Sequence, residues 1–119
     1  MCKNGIDNFL IIVYINLVDV IFANDNLDRL ELDATWTAGL SQGIVKAFHK
    51  RMQQIRAAPD EREFYELRSL RFEKLGGKRK HQHSMRLNDQ YRLILEVLKE
   101  NPGGKKSKAI KVISIEDYH

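Results

Sequence analysis

The chain has 119 residues, 43% of them hydrophobic and 30% charged, with 20 Lys and Arg against 16 Asp and Glu for a net charge of +4. This length suits one domain with its own core, and the composition excludes a disordered tail or a disulfide-stapled scaffold. One cysteine, Cys2, permits neither an internal disulfide nor a cysteine metal cluster, so a reducing cytoplasm is the expected setting.

The apolar run from Phe9 to Val18 is interrupted by Asp19. It is about half the roughly 20 residues a bilayer span needs, so no membrane association is expected. A signal peptide is disfavoured because Lys3 is balanced by Asp7 and no small-x-small cleavage site follows. Val18 to Phe22 alternates as a first strand should. Residues 1–17 therefore read as an apolar extension, of the kind a misassigned start codon produces, ahead of a single domain over 18–119.

Asn24 or Asp25 can cap a short helix that turns Leu27, Leu30 and Leu32 inward. Thr35 to Gly39 breaks that pattern. Ser41 can cap a longer helix to about Ala58, because Ile44, Val45, Phe48, Met52 and Ile55 recur at the spacing of one buried face. Pro59 ends it, and Asp60 with Glu63 resembles a capping box opening another short helix through Leu67, with Phe64 and Leu67 inward. His49 and Trp36 in this half are expected to pack or face solvent rather than form a site.

From Gly76 the period becomes strand-like, with candidate strands at His81–Leu87, Tyr91–Lys99 and Ala109–Asp117. The turns between them are Asn88-Asp89-Gln90 and Asn101–Lys108. A three-residue first turn pairs Leu87 with Tyr91, Arg86 with Arg92 and Met85 with Leu93. That register gathers Met85, Leu87, Tyr91, Leu93, Leu95 and Val97 on one core face, whereas a two-residue turn scrambles the faces.

The charge excess lies in this half: residues 1–59 carry six Lys/Arg and six Asp/Glu, while 60–119 carry fourteen and ten. Arg68 to Arg92 alone has eight cations and two acids, a concentration that attracts a polyanion without fixing its sequence. The register sets Arg86 opposite Arg92 on the outer face. Like charges in a cross-strand pair are destabilising unless an anion sits between them, and guanidinium groups grip phosphate in a fork. The competing reading is that both splay into solvent or pair with acids such as Glu96.

On the last strand Asp117 and His119 share a face and Tyr118 points the other way. An imidazole can exchange a proton near neutral pH, and a neighbouring carboxylate can orient it. RNA cleavage needs a base, an acid and cations for the phosphorane, all of which this half contains. A frayed terminal histidine without a role is the alternative.

The run Gly77-Lys-Arg-Lys-His-Gln-His-Ser-Met-Arg-Leu-Asn-Asp-Gln-Tyr-Arg-Leu93, together with Ile115-Glu-Asp-Tyr-His119, closely resembles HigB-type toxins of the RelE/ParE superfamily. The resemblance runs from about Val18 onward. It implies a compact α+β, microbial-RNase-like domain with an N-terminal strand and helices on a small, mainly antiparallel sheet. It further implies an endoribonuclease without metal or cofactor that enters the ribosomal A site and cuts mRNA by 2′-hydroxyl attack. Carried across, Arg92 would stabilise the phosphate, Asp117 and His119 would transfer protons, and Tyr118 would position or stack on a base. Arg79, with Lys78, Lys80, Arg86 and His83, would hold RNA. Some members carry a histidine just before the basic loop where this chain has Phe72-Glu73, which leaves Glu73 as a weak substitute base and the general base open. A helix-turn-helix antitoxin of the HigA type is the implied partner, with operator DNA bound only through it. The competing functions are a gyrase-poisoning toxin of the ParE kind and a non-catalytic regulator that binds antitoxin.

Overall fold

The computed structural model describes residues 18–99, 101 and 108–118. The expected extension over 1–17, Glu100, residues 102–107 of the expected second turn and His119 lie outside the described residues. The chain order is β1 (Asp19–Phe22), α1 (Asp25–Leu32), α2 (Gln42–Ala57), α3 (Arg62–Glu66), β2 (Glu73–Lys74), β3 (His83–Arg86), β4 (Tyr91–Leu98) and β5 (Ala109–Asp117). The five strands form one sheet in the order β1-β5-β4-β3-β2. Only β1 runs parallel to its neighbour; the other pairings are antiparallel. This is the α+β arrangement expected from the sequence.

Asn24 starts α1, its side chain accepting from Leu27 N at 3.0 Å, and Ser41 starts α2 by accepting from Ile44 N at 3.3 Å. Each cap satisfies an amide that the first helical turn leaves without a partner. Helix α2 buries Ile44, Val45, Phe48, Met52 and Ile55. They share one hydrophobic cluster with Met85, Leu87, Leu93, Leu95, Ile110 and Val112 of the sheet region, while Tyr91 and Val97 pack at its margin. Val18 is held by its amide donating to the Ala58 carbonyl at 3.1 Å.

The packing corrects several expectations. Leu32 is 76% exposed and Leu67 39% exposed, so neither joins the core. Both fall at the ends of short helices, where the chain turns away before the face is covered. Helix α3 begins at Arg62 without a side-chain cap, and Asp60 instead accepts from Arg62 N at 2.8 Å in a local turn. The Arg62 hydrogen bonds hold the Asp60 carboxyl at about 2. Strand β3 is shorter than His81–Leu87, and the two-residue β2 was not anticipated. His49 and Trp36 take structural roles: His49 Nε2 donates to the Leu30 carbonyl at 2.7 Å, and the Arg29 guanidinium lies 4.3 Å from the Trp36 ring centre.

The three-residue turn is present as expected. Met85 pairs with Leu93 and Arg86 with Arg92, and Leu87 N donates to the Tyr91 carbonyl at 3.0 Å. Asn88 Oδ1 accepts from the amides of Gln90 at 2.9 Å and Tyr91 at 2.7 Å. A carboxamide bonding its own following backbone is the reason asparagine suits this position. The outer face is not wholly solvated, since Ser84 and Ile94 are buried on it.

Strand β5 contains an irregularity that alternation alone does not show. Leu95 pairs with Val112 but Ile94 with Ser114, leaving Ile113 as the extra residue of a bulge. The bulge shifts the phase, so Ile115 and Asp117 take the helix-facing side while Ser114 and Glu116 take the outer one. Phe48→Ala is expected to lower stability by about 3–5 kcal/mol, and Leu32→Ala by less than about 0.5 kcal/mol. Urea unfolding of the two variants checks the assignment of core and rim.

Candidate functional site

The turn between β3 and β4 positions the site. Arg86 and Arg92, directly paired across the two strands, open with Ser69, Arg71, Asn88 and Asp89 onto a cleft of about 300 Å³. Arg86 is ion-paired with Asp89, which is 98% exposed. Arg92 donates through Nη1 to the Arg71 carbonyl at 3.1 Å and, at the limit of bonding distance, to Ser84 Oγ at 3.5 Å. Neither arginine uses Glu96 as its partner, contrary to one reading of the sequence.

Buried Arg51 on α2 supports the site from below. Its Nε donates to the Arg86 carbonyl at 2.8 Å and its Nη1 to Gln54 Oε1 at 3.0 Å. Burial, and secondarily the Arg86 charge, pull its pKa below the usual arginine value. A helix is thus fastened directly to the strand that carries Arg86.

The last strand brings a second set of groups to the same end of the sheet. Arg92 pairs with Glu116, and Tyr91 with Asp117. Asp117 therefore belongs to the opposite face from Arg92, which separates two residues that the sequence reading grouped in one reaction. It is exposed at the strand end, where Gln90 Nε2 donates to its Oδ2 at 3.1 Å. Tyr118 returns to the Arg92 side, its ring centre 5.8 Å from the guanidinium carbon, a cation–π distance. Its amide donates to the Gln90 carbonyl at 2.6 Å.

Arg79 is placed differently from the expectation of an open RNA contact. Its two terminal nitrogens donate to the Glu116 carboxylate at 2.9 and 2.7 Å, while Nε donates to Gln82 at 2.9 Å. The fork is already filled by a carboxylate. This latch draws the basic loop onto β5. Gly77, at φ 62°, provides the left-handed backbone for its turn, and Lys78 and Lys80 remain exposed. Arg79 chiefly, and Ser114 secondarily, hold the Glu116 pKa below its usual value against the opposing effect of burial.

Glu73 lies exposed on β2 opposite Ser84. His83 is on the helix-facing side, stacked on Phe72 with ring centres 4.7 Å apart and planes 5° from parallel. Burial first, and nearby Lys74 second, lower its pKa, which favours the neutral ring. Its buried Nδ1 has no hydrogen-bond partner among the described residues. It also borders a second, basic groove of about 830 Å³ with Tyr65 and Lys74. The structure thus brings Arg86, Arg92, Tyr118 and Asp117 to one end of the sheet; His83 and Glu73 do not line the arginine cleft, although Glu73, paired with Ser84, is on the Arg92 face. Ser69, Arg71 and Glu116 were missed, Glu116 because its place opposite Arg92 depends on the bulge in β5.

The chain is a small α+β fold with an arginine cleft at the end of its sheet. The fold is similar to that of the YoeB/ParE toxin from Agrobacterium tumefaciens, with a TM-score of 0.55 and 14% identity over 86% of this chain and 100% of that one. A family model described as the RelE-like toxin of the type II toxin–antitoxin system HigB matches residues 20–103. The chain belongs to this HigB-like toxin family, whose type II character implies an antitoxin partner. No curated protein matches the chain. The family match ends before β5 and so does not cover Asp117, Tyr118 or His119. No helix among the described residues is long and apolar enough to cross a membrane.

The depressed Glu116 pKa means that the latch stabilises the folded loop above the usual carboxylate value of 4.5 and is lost as pH falls through the lower folded value. An NMR titration of the Arg79 Nη–H signals, which report the bonds to Glu116, should show this loss on the acid side alone. Glu116→Gln should abolish the transition and loosen the loop at all pH values.

Proposed function

We propose that the chain is a toxin ribonuclease that cuts mRNA on translating ribosomes. The observation that carries this reading is the Arg86–Arg92 cross-strand pair at an open cleft beside Tyr118. A nucleic-acid phosphate fills such a cleft with bidentate, charge-assisted hydrogen bonds. In the reaction, a 2′-hydroxyl loses its proton as its oxygen attacks the adjacent phosphorus. The bond to the 5′-oxygen breaks, that oxygen receives a proton, and a 2′,3′-cyclic phosphate remains.

Arg92 stabilises the charge that develops on phosphorus, with Arg86 as the second arm. Tyr118 offers a ring for a base to stack on, and His119 carries a proton step, with Asp117, on the sheet face opposite Arg92, orienting it rather than reaching phosphorus. Glu73 is the weaker alternative for the base. Lys78 and Lys80 hold RNA backbone from the loop, and Arg79 joins them when it leaves Glu116. His83 contributes at the second groove rather than at phosphorus. The proposed sequence of binding events is the ribosomal A site and mRNA in the active state, and a HigA-like helix-turn-helix antitoxin in the silenced state. That antitoxin alone would contact operator DNA, and the setting is the cytoplasm.

Induced expression without antitoxin should arrest growth and generate new mRNA 5′ ends only where ribosomes are translating. Arg92→Ala and His119→Ala should each reduce cleavage by about 10²–10⁴-fold. Mapping mRNA 5′ ends in these strains decides the matter: DNA damage with intact messages would indicate a gyrase poison, and no growth effect a non-catalytic regulator.

A further inference from the structure

We infer that Arg71 is a third cationic arm of the cleft, making it a site selective for a dianionic phosphate over a phosphodiester monoanion. Arg71 lines the cleft with Arg86 and Arg92, yet among the described residues no hydrogen bond or ion pair engages its guanidinium. Its backbone is left-handed, with φ 46° and ψ 53°. Side chains other than glycine and asparagine rarely adopt that conformation, and such positions cluster where a ligand is held. Here the conformation presents the Arg71 carbonyl to Arg92 Nη1 at 3.1 Å. One residue therefore aims a neighbouring arginine with its main chain and adds a cation of its own.

The charge balance sets the ligand class. Three guanidinium groups face one carboxylate, that of Asp89, for a net +2. Asp89 is almost fully exposed, so it offsets Arg86 only weakly through a solvent-screened pair. A phosphodiester carries one negative charge, whereas a phosphomonoester above its second ionisation, or a phosphorane with both equatorial oxygens ionised, carries two. The cleft is thus matched to the doubly charged species. The inference shares its cleft with the ribonuclease reading and rests on that reading only for the source of the phosphate.

Left-handed backbone gives a clean test, because Arg71→Gly and Arg71→Asn both suit it and leave the carbonyl on Arg92. NMR titrations at about pH 8 would use inorganic phosphate as the dianion and dimethyl phosphate as the diester monoanion. The parent protein should bind phosphate about tenfold or more tightly than dimethyl phosphate, with shifts at Arg71, Arg86 and Arg92. Both variants should keep the parent melting temperature or exceed it while binding phosphate about tenfold more weakly, as loss of a charge-assisted hydrogen bond predicts. No saturable phosphate binding by the parent, equal affinity for the two probes, or variants within about twofold of the parent would overturn the inference. Phosphate binding without mRNA cleavage would remove the ribonuclease reading and leave this site standing; cleavage with unaffected variants would do the reverse.

Discussion

The Asn88 carboxamide, by accepting from the Gln90 and Tyr91 amides, sets the length of the β3–β4 turn and with it the register on which the site depends. A slip of one residue between the strands would set Met85 opposite Arg92 and turn one strand over, sending one of the two arginines into the core and one apolar partner to solvent. The hydrophobic cluster around Met52 and Phe48 makes that slip costly, because it would set a guanidinium against the buried apolar stripe of the helix. Turn chemistry and core packing therefore specify the same pairing, and the two arginines come to face one another as its by-product.

A pair of like charges on adjacent strands is tolerated through several modest contacts. Arg86 leans on Asp89, Arg92 reaches the Arg71 carbonyl, and Arg51 fixes the Arg86 main chain from the helix side. None of these places a fully occupied carboxylate between the two guanidinium groups, which keeps the cleft open to an external anion. Arg79 shows the opposite solution: its fork is filled internally by Glu116, so the loop is held in place at the cost of its readiest contact. The same residue type thus serves as a receptor at one position and a fastener at another.

Much of this was legible in the sequence because it followed from period and turn chemistry. Asn24 and Ser41 announced the helix starts, the α2 stripe announced its buried face, and Asn88-Asp89-Gln90 announced the register. Leu32 and Leu67 misled because an apolar residue at the end of a short helix satisfies the pattern without any element to cover it. The face of Asp117 could not be read, since it depends on the bulge at Ile113, which breaks the alternation without any glycine or proline to mark it. The occupation of Arg79 depends on a contact between residues 37 apart in sequence, and local spacing carries no information about that. Arg71 was counted among the cations, but its left-handed backbone has no sequence signature.

The position of β5 between β1 and β4 has a consequence for how the protein is made. The first strand of the sheet and the β3–β4 hairpin share no hydrogen bonds with each other; they are joined only when β5 inserts between them. During synthesis the hairpin and helices can form early through local contacts, while β1 waits for a partner about 90 residues further along, a long-range pairing of the kind that slows folding. Tyr118 and Glu116 travel with that last strand, so the cation face is completed at the moment the sheet closes. A chain still being translated would expose its basic segment before it holds the groups carried by β5, so Glu116 and Tyr118 join the arginines only once that strand has been made.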